Sequence, residues 1–227
     1  MSLIRSILAD THGTAALEML MVVPLMVGMT LAGVELTNNI ITQKKVASLA
    51  QMVADNASRA GDSTALGLMP LRESDVNDVL DGAALQAKGL DLQRKGRIIL
   101  SSLEQNAATG QQTIRWRRCA GGAAAGSAYA NVSNKPTKDP RGIEMRGKWV
   151  SAPRTDAVMV VEVYYDYQPI FPLPVIGYDT QQFSTQAVRL VRDNRDLSSI
   201  KSNASASRCT SSTTPGSGTG SDDNEDD

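Results

Sequence analysis

The run of uncharged residues between Glu18 and Glu35 constrains this chain more than any other feature. It holds 16 residues, about 24 Å of helix against a hydrocarbon core of about 30 Å. Adding the segment from Thr14 to Glu18 brings the stretch to 21 residues, enough to span a bilayer if Glu18 is neutralised or lies at one boundary. A carboxylate at that depth costs on the order of 2.5 to 3.5 kcal/mol, so Glu18 calls for a partner. Pro24 removes one helical hydrogen bond inside the run. Gly28 and Ala32 form a small-xxx-small pair suited to close helix contact in lipid.

Two plainer readings compete. One is an ordinary membrane anchor. The other is a cleavable secretory signal, for which Thr30-Leu31-Ala32 loosely fits the small-x-small site, although the preceding segment has one arginine, Arg5, and carries Asp10 and Glu18. The positive-inside count sets Arg5 and the amino terminus against Lys44, Lys45 and Arg59, so charge alone does not orient the helix.

Beyond Glu35 the pattern becomes one-faced. Val46, Leu49, Ala50, Val53 and Ala57 recur at helical spacing opposite Lys44, Gln51, Asp55 and Arg59, and Gly61-Asp62 closes the segment. This predicts one helix over residues 14–59, with one end in lipid and the other packed on a head; the alternative is two helices joined at Asn38-Asn39. A second helix should start at Ser74 as N-cap and run to Gly89, with Val76, Val79, Leu80, Ala83, Ala84 and Ala87 inward. Residues 97–103 and 113–117 read as a hairpin around the turn residues 106–110. Residues 157–168 are the strongest strand, with Glu162 expected on its wetter face, and residues 182–192 are the last.

The remaining segments read as connections. Gly121-Gly122-Ala123-Ala124-Ala125-Gly126 lacks the Lys-Ser or Lys-Thr pair of a phosphate loop and is expected to be a flexible loop. Residues 131–154 are expected to be a surface excursion, and Pro169-Ile170-Phe171-Pro172 a proline-shaped link between strands. From residue 201 the Ser, Thr, Gly and acidic composition predicts a disordered tail.

Composition narrows the function. A net charge of −1 gives no basic excess for nucleic acid. With His12 as the single histidine, no metal site, cofactor or catalytic base network is expected, and the reading is non-enzymatic. Cys119 and Cys209 are a candidate disulfide outside the cytosol, worth about 4 to 5 kcal/mol in the chain-entropy model; two unpaired thiols are the alternative.

The segment Gly13-Thr14-Ala15-Ala16-Leu17-Glu18-Met19-Leu20-Met21-Val22-Val23-Pro24-Leu25 resembles the amino-terminal motif of TadE/TadG-like proteins, the minor pseudopilins of tight-adherence (Flp) type IV pilus systems. The stretch Val163-Tyr164-Tyr165-Asp166-Tyr167-Gln168-Pro169-Ile170-Phe171-Pro172-Leu173-Pro174, followed by a strand ending Ala187-Val188-Arg189, is also similar to that family. The likeness covers residues 10–60 and 157–192 and is weak between them.

The resemblance implies an α+β fold with a pilin-like long N-terminal membrane helix and a small antiparallel sheet head; the disordered C-terminal tail, read from composition, lies outside the likeness. Its segments would be a leader (1–13), a transmembrane and stem helix (14–60), an extracytoplasmic head (61–200) and the tail (201–227). It also implies cleavage between Gly13 and Thr14 by a prepilin peptidase, and an assembly role for Glu18 opposite the new amine of Thr14, its own or a neighbour's. The implied partners are other pilin and pseudopilin subunits, the inner-membrane assembly platform and membrane lipid. The implied place is the bacterial inner membrane with the head in the periplasm, or the extracellular pilus itself, in a role in pilus biogenesis, adherence and surface colonisation. The alternative function is a membrane-anchored extracytoplasmic binding domain that uses the loops of residues 121–154.

Overall fold

The structure is a computed structural model that describes residues 12–61, 67–132, 135–137, 139–172, 179–192 and 194–209. Helix α1 (His12–Arg59) is a single element of 48 residues, about 72 Å long. It runs unbroken through Asn38-Asn39, so the stem and the membrane-length segment are one helix rather than two. Pro24 lies inside it. Val46, Leu49, Ala50, Val53, Ala54 and Ala57 are buried, which is the stripe that the helical spacing marks out. At its end the chain turns through Gly61, whose φ of 141° favours glycine. The Arg195 guanidinium donates to the carbonyls of Ala57 and Ala60, satisfying two of the acceptors that a helix C-terminus leaves open.

Helix α2 (Glu73–Gln86) begins one residue before the expected cap. The Asp75 carboxylate accepts the backbone N–H of Arg72 at 2.9 Å, so an acid in the first turn fixes the start. Ser74 is engaged elsewhere, by Asn203. Val76, Leu80 and Ala83 are buried. A short helix α3 (Leu92–Lys95), entered through Asp91 at a φ of 48°, precedes the sheet and has no sequence periodicity to announce it.

Strands β1 (Gly96–Gln105), β2 (Gln112–Ala120), β5 (Val158–Tyr167) and β6 (Gln181–Leu190) form one antiparallel sheet in the order β2-β1-β5-β6. The expected hairpin is β1-β2. Leu100 lies opposite Val161 and Val161 opposite Ala187. The β1-β2 register slips between Ser102, opposite Trp116, and Leu103, opposite Ile114, so Arg115 is the extra residue of a bulge.

The two central strands are covered on both faces. Ile98, Leu100, Met159, Val161, Val163 and Tyr165 meet the helices. Leu103, Ile114, Val158 and Val160 meet Ile143, Met145 and Ala152 from residues 139–152. The excursion expected at the surface therefore builds a second, smaller core. It contains the hairpin β3 (Ile143–Met145) and β4 (Lys148–Val150), turned by Arg146 and Gly147, both at positive φ as a two-residue turn requires.

Two further expectations change. A Cβ on Gly121 would lie 2.3 Å from the Gly96 carbonyl oxygen, and one on Gly122 would lie 2.1 Å from that of Gln93. These glycines let the chain press against α3 and β1, which is a close approach and not a flexible loop. Residues 201–209, assigned to a disordered tail by composition, run alongside α2: Lys201 N–H donates to the Leu71 carbonyl, Asn77 donates to Ser205, and Cys119 N–H donates to Ser207. Backbone and side-chain hydrogen bonds with fixed partners do here what apolar burial does elsewhere. The rest of the expected tail, residues 210–227, lies outside the described residues.

Candidate functional site

Residues 16–34 of α1 stand clear of the other described residues. All are exposed, the large apolar side chains from Leu31 at 40% to Met21 at 80%. This is the one described helix long and apolar enough to cross a membrane. The bond between Gly13 and Thr14 lies in its first turn, one turn before Glu18; the side chains of residues 12–15 lie outside the described set. Glu18 is exposed and makes no hydrogen bond or ion pair among the described residues. A carboxylate on an apolar rod with no partner among the described residues can be satisfied by water, by a lipid headgroup or by a second molecule. Gly28 also faces open space, leaving the small-xxx-small pair free for contact.

Glu35, one helical residue past the apolar run, is treated in the opposite way. It is buried, at 5% exposure. The Tyr167 hydroxyl donates to its Oε1 at 2.5 Å, and the backbone N–H groups of Ile170 and Phe171 donate to its Oε2 at 2.9 and 3.1 Å. Asn38, one turn on, donates to the same Tyr167 hydroxyl at 2.9 Å. The segment that leaves β5 is thus clasped to α1 where the exposed rod meets the head, and Tyr167 also stacks on Phe183 of β6 with ring centres 5.0 Å apart. Sequence reasoning used Glu35 only as the boundary of an apolar run. The missed signal was an acid at that exit and a tyrosine before Pro169-Ile170-Phe171-Pro172, residues that a charge-free link has no evident need for.

On the opposite face of the sheet Glu162 is fully buried, not on a wetter face. Its Oε1 accepts from Ala128 N–H at 2.8 Å and from the Tyr164 hydroxyl at 3.0 Å, and its Oε2 from Ser127 Oγ at 2.5 Å. The alternation in β5 places Glu162 correctly, but the excursion covers that face. Burial, then the negative charge of Glu162, pushes both Tyr129 and Tyr164 up to about 12. Burial pulls the Arg117 guanidinium down, with Glu162 opposing the shift.

Beside this network lies an open cleft of about 300 Å³, lined among others by Tyr129, Asn131, Thr137, Asp139, Glu144 and Trp149. Arg141 stacks 4.2 Å above the Trp149 ring and holds the Asp139 carboxyl down at about 2 through their hydrogen bonds. Among the described residues no group of His, Cys, Asp or Glu side chains is placed to hold a metal ion.

Cys119 and Cys209 are joined as a disulfide with Cα atoms 4.9 Å apart. The adjacent Arg118 forks onto the nearly buried carboxylate of Glu73, linking β2 to the first turn of α2. The returning C-terminal segment is therefore fastened to the sheet covalently and to α2 by hydrogen bonds. No protein-family model, curated protein or solved structure matches this chain.

Proposed function

We propose that this chain is a minor pseudopilin or assembly factor of a Tad/Flp-type pilus, held in the bacterial inner membrane by α1 with its head in the periplasm. One observation carries the reading: α1 is exposed and apolar along residues 16–34, carries Glu18, without a partner among the described residues, four residues after Thr14, and continues without a break into a half packed on an antiparallel sheet. Such a helix offers its apolar half first to lipid and then to the same halves of neighbouring subunits. Glu18 is the residue that meets a charge only when subunits meet. A prepilin peptidase cutting after Gly13 would create that charge at Thr14. The disulfide agrees with an oxidising compartment outside the cytosol. The role is structural, in pilus biogenesis and adherence, and not enzymatic.

Intact-mass measurement of the membrane-extracted protein tests this. A mature chain starting at Thr14, and an uncut chain for Gly13→Val, are expected. A start at Met1 in both selects a plain anchor, and a start at Gly33 selects a secreted domain. A second reading, a membrane-anchored binding domain, is favoured by the cleft between Tyr129 and Trp149. It predicts normal pili when that cleft is filled by Thr137→Trp and loss of ligand capture instead.

A further inference from the structure

The apolar rod does not end at Glu35. Between residues 19 and 41 the polar side chains are Thr30, Glu35, Thr37, Asn38 and Asn39, and each is bonded within the chain. Thr30 and Thr37 donate to the carbonyls of Met26 and Gly33, four residues back, both at 2.8 Å. Glu35 accepts the three donors of residues 167–171, Asn38 donates to Tyr167, and Asn39 accepts from Gln43 at 2.8 Å. An internal partner for each polar side chain is what a segment in lipid calls for, because no water is there to substitute.

The surface between these groups is apolar and exposed: Leu36 at 62%, Ile40 at 44% and Ile41 at 46%. Ile170 at 53% and Phe171 at 37% are also exposed, their amides held at the level of Glu35 by its carboxylate. No charged residue occurs between Asp166 and Asp179. Lys44 and Lys45, exposed just beyond Ile41, are the first cations after the rod and can reach headgroups while their stems lie along apolar surface.

We infer that the lipid-facing span of α1 runs from residue 19 to residue 41, and that Ile170 and Phe171, clasped to it by Glu35, seat the head in the boundary between acyl chains and headgroups. The occupant of this surface is lipid. The patch is continuous with the rod and ends in lysines. Its 23 helical residues, about 34 Å, fit the hydrocarbon core better than the 24 Å between Glu18 and Glu35. The inference rests on the membrane-spanning part of the proposed function and is independent of the pilus assignment.

The test uses the full wild-type chain in phosphatidylcholine and phosphatidylglycerol vesicles doped with a lipid carrying a photoactivatable group on its acyl chain, with adducts mapped by peptide mass spectrometry. Adducts on residues 19–34, on Leu36, Ile40 and Ile41, and on Ile170 or Phe171 are expected. Adducts that stop at Val34 and spare residues 36–41 and 170–171 would overturn the inference and leave a second protein as the occupant, with the membrane-spanning reading intact. No adducts on residues 19–34 would remove that reading and this inference together.

Discussion

Replacing Glu162 separates the value of its hydrogen bonds from that of its charge. In Glu162→Ala the Tyr164 hydroxyl, the Ser127 hydroxyl and the Ala128 N–H lose their common acceptor. The two hydroxyls belong to half-buried side chains and Ala128 is exposed, so water restores part of the loss. At about 1 kcal/mol for each donor the cost is about 3 kcal/mol. Glu162→Gln should behave differently. Its carbonyl can take the place of Oε1 and accept from Ala128 and Tyr164, while its amide donates to Ser127 Oγ, an atom already accepting from Tyr129 N–H at 3.0 Å and with a second lone pair to offer. Only the charge assistance and the attraction to Arg117 disappear, about 1 kcal/mol. Thermal unfolding of the full chain in detergent should show a Tm lower by about 6 to 12 °C for Ala and about 2 to 4 °C for Gln. Amide hydrogen exchange at residues 128 and 129 should accelerate in Glu162→Ala alone. Equal Tm losses for the two variants, or unchanged exchange in the alanine variant, would refute the claim that this carboxylate holds the excursion on the sheet through its accepted bonds.

Removing the disulfide with Cys119→Ser and Cys209→Ser frees a 90-residue separation and should cost about 4 to 5 kcal/mol; a reduced protein that melts with the oxidised one would contradict this. Tyr129 and Tyr164 ionise in the fold near 12 rather than near 10, so the protonated form is the native one. Their contribution is complete below pH 10 and is lost as pH rises from 10 through 12, which melts at rising pH and tyrosinate absorbance would follow. In Glu162→Gln both tyrosines should ionise at lower pH, because the anion that opposes a second charge is gone. Gly122→Ala should destabilise by about 1 to 3 kcal/mol through the contact with the Gln93 carbonyl, and a neutral effect would mean that the α3 junction yields easily.

The strongly periodic parts of the fold were legible. Helix α1 declared itself by an apolar run that becomes a one-faced stripe, and the four long strands by alternation or by β-branched density. What the sequence hid was non-local. Glu162 sits at the correct alternating position, yet its burial depends on residues 127–152 folding over that face, and nothing within β5 reports this. Residues 201–209 look like linker by composition because the partners that order them, Leu71, Ser74, Asn77 and Cys119, are between about 90 and 130 positions away. The glycines of residues 121–126 read as freedom, whereas Gly121 and Gly122 are present because neighbouring backbone occupies the space of a Cβ. Of the stem, the exposure of the apolar half followed from the pattern, but the clasp at Glu35 needed the β5 exit beside α1.

The two acids of the rod make a coupled prediction. Glu35 is satisfied inside its own chain, whereas Glu18 finds no partner among the described residues, and the worth of a partner in a neighbouring subunit depends on where the span sits. With lipid facing residues 19–41, Glu18 lies at the far boundary of the bilayer while the subunit is free. It then meets hydrated headgroups, and insertion of Glu18→Ala should match wild type. In an assembled fibre the rods pack on one another and water leaves the same position. A pair with a neighbour's Thr14 amine that forms there and is then broken costs about 3 to 5 kcal/mol, more than a hundredfold in association. A pair that stays at a wet boundary is worth at most about 1 kcal/mol, a few-fold. Crosslinking of this chain to other pilus subunits, measured with surface pili in strains carrying Glu18→Ala and Glu18→Gln, distinguishes the cases. Assembly lost in both variants at normal membrane levels is the expected result, because glutamine keeps the shape but not the charge. A few-fold loss would place the pair at a wet boundary. Normal pili and crosslinks with Glu18→Ala would leave Glu18 as a boundary residue and α1 as an anchor only.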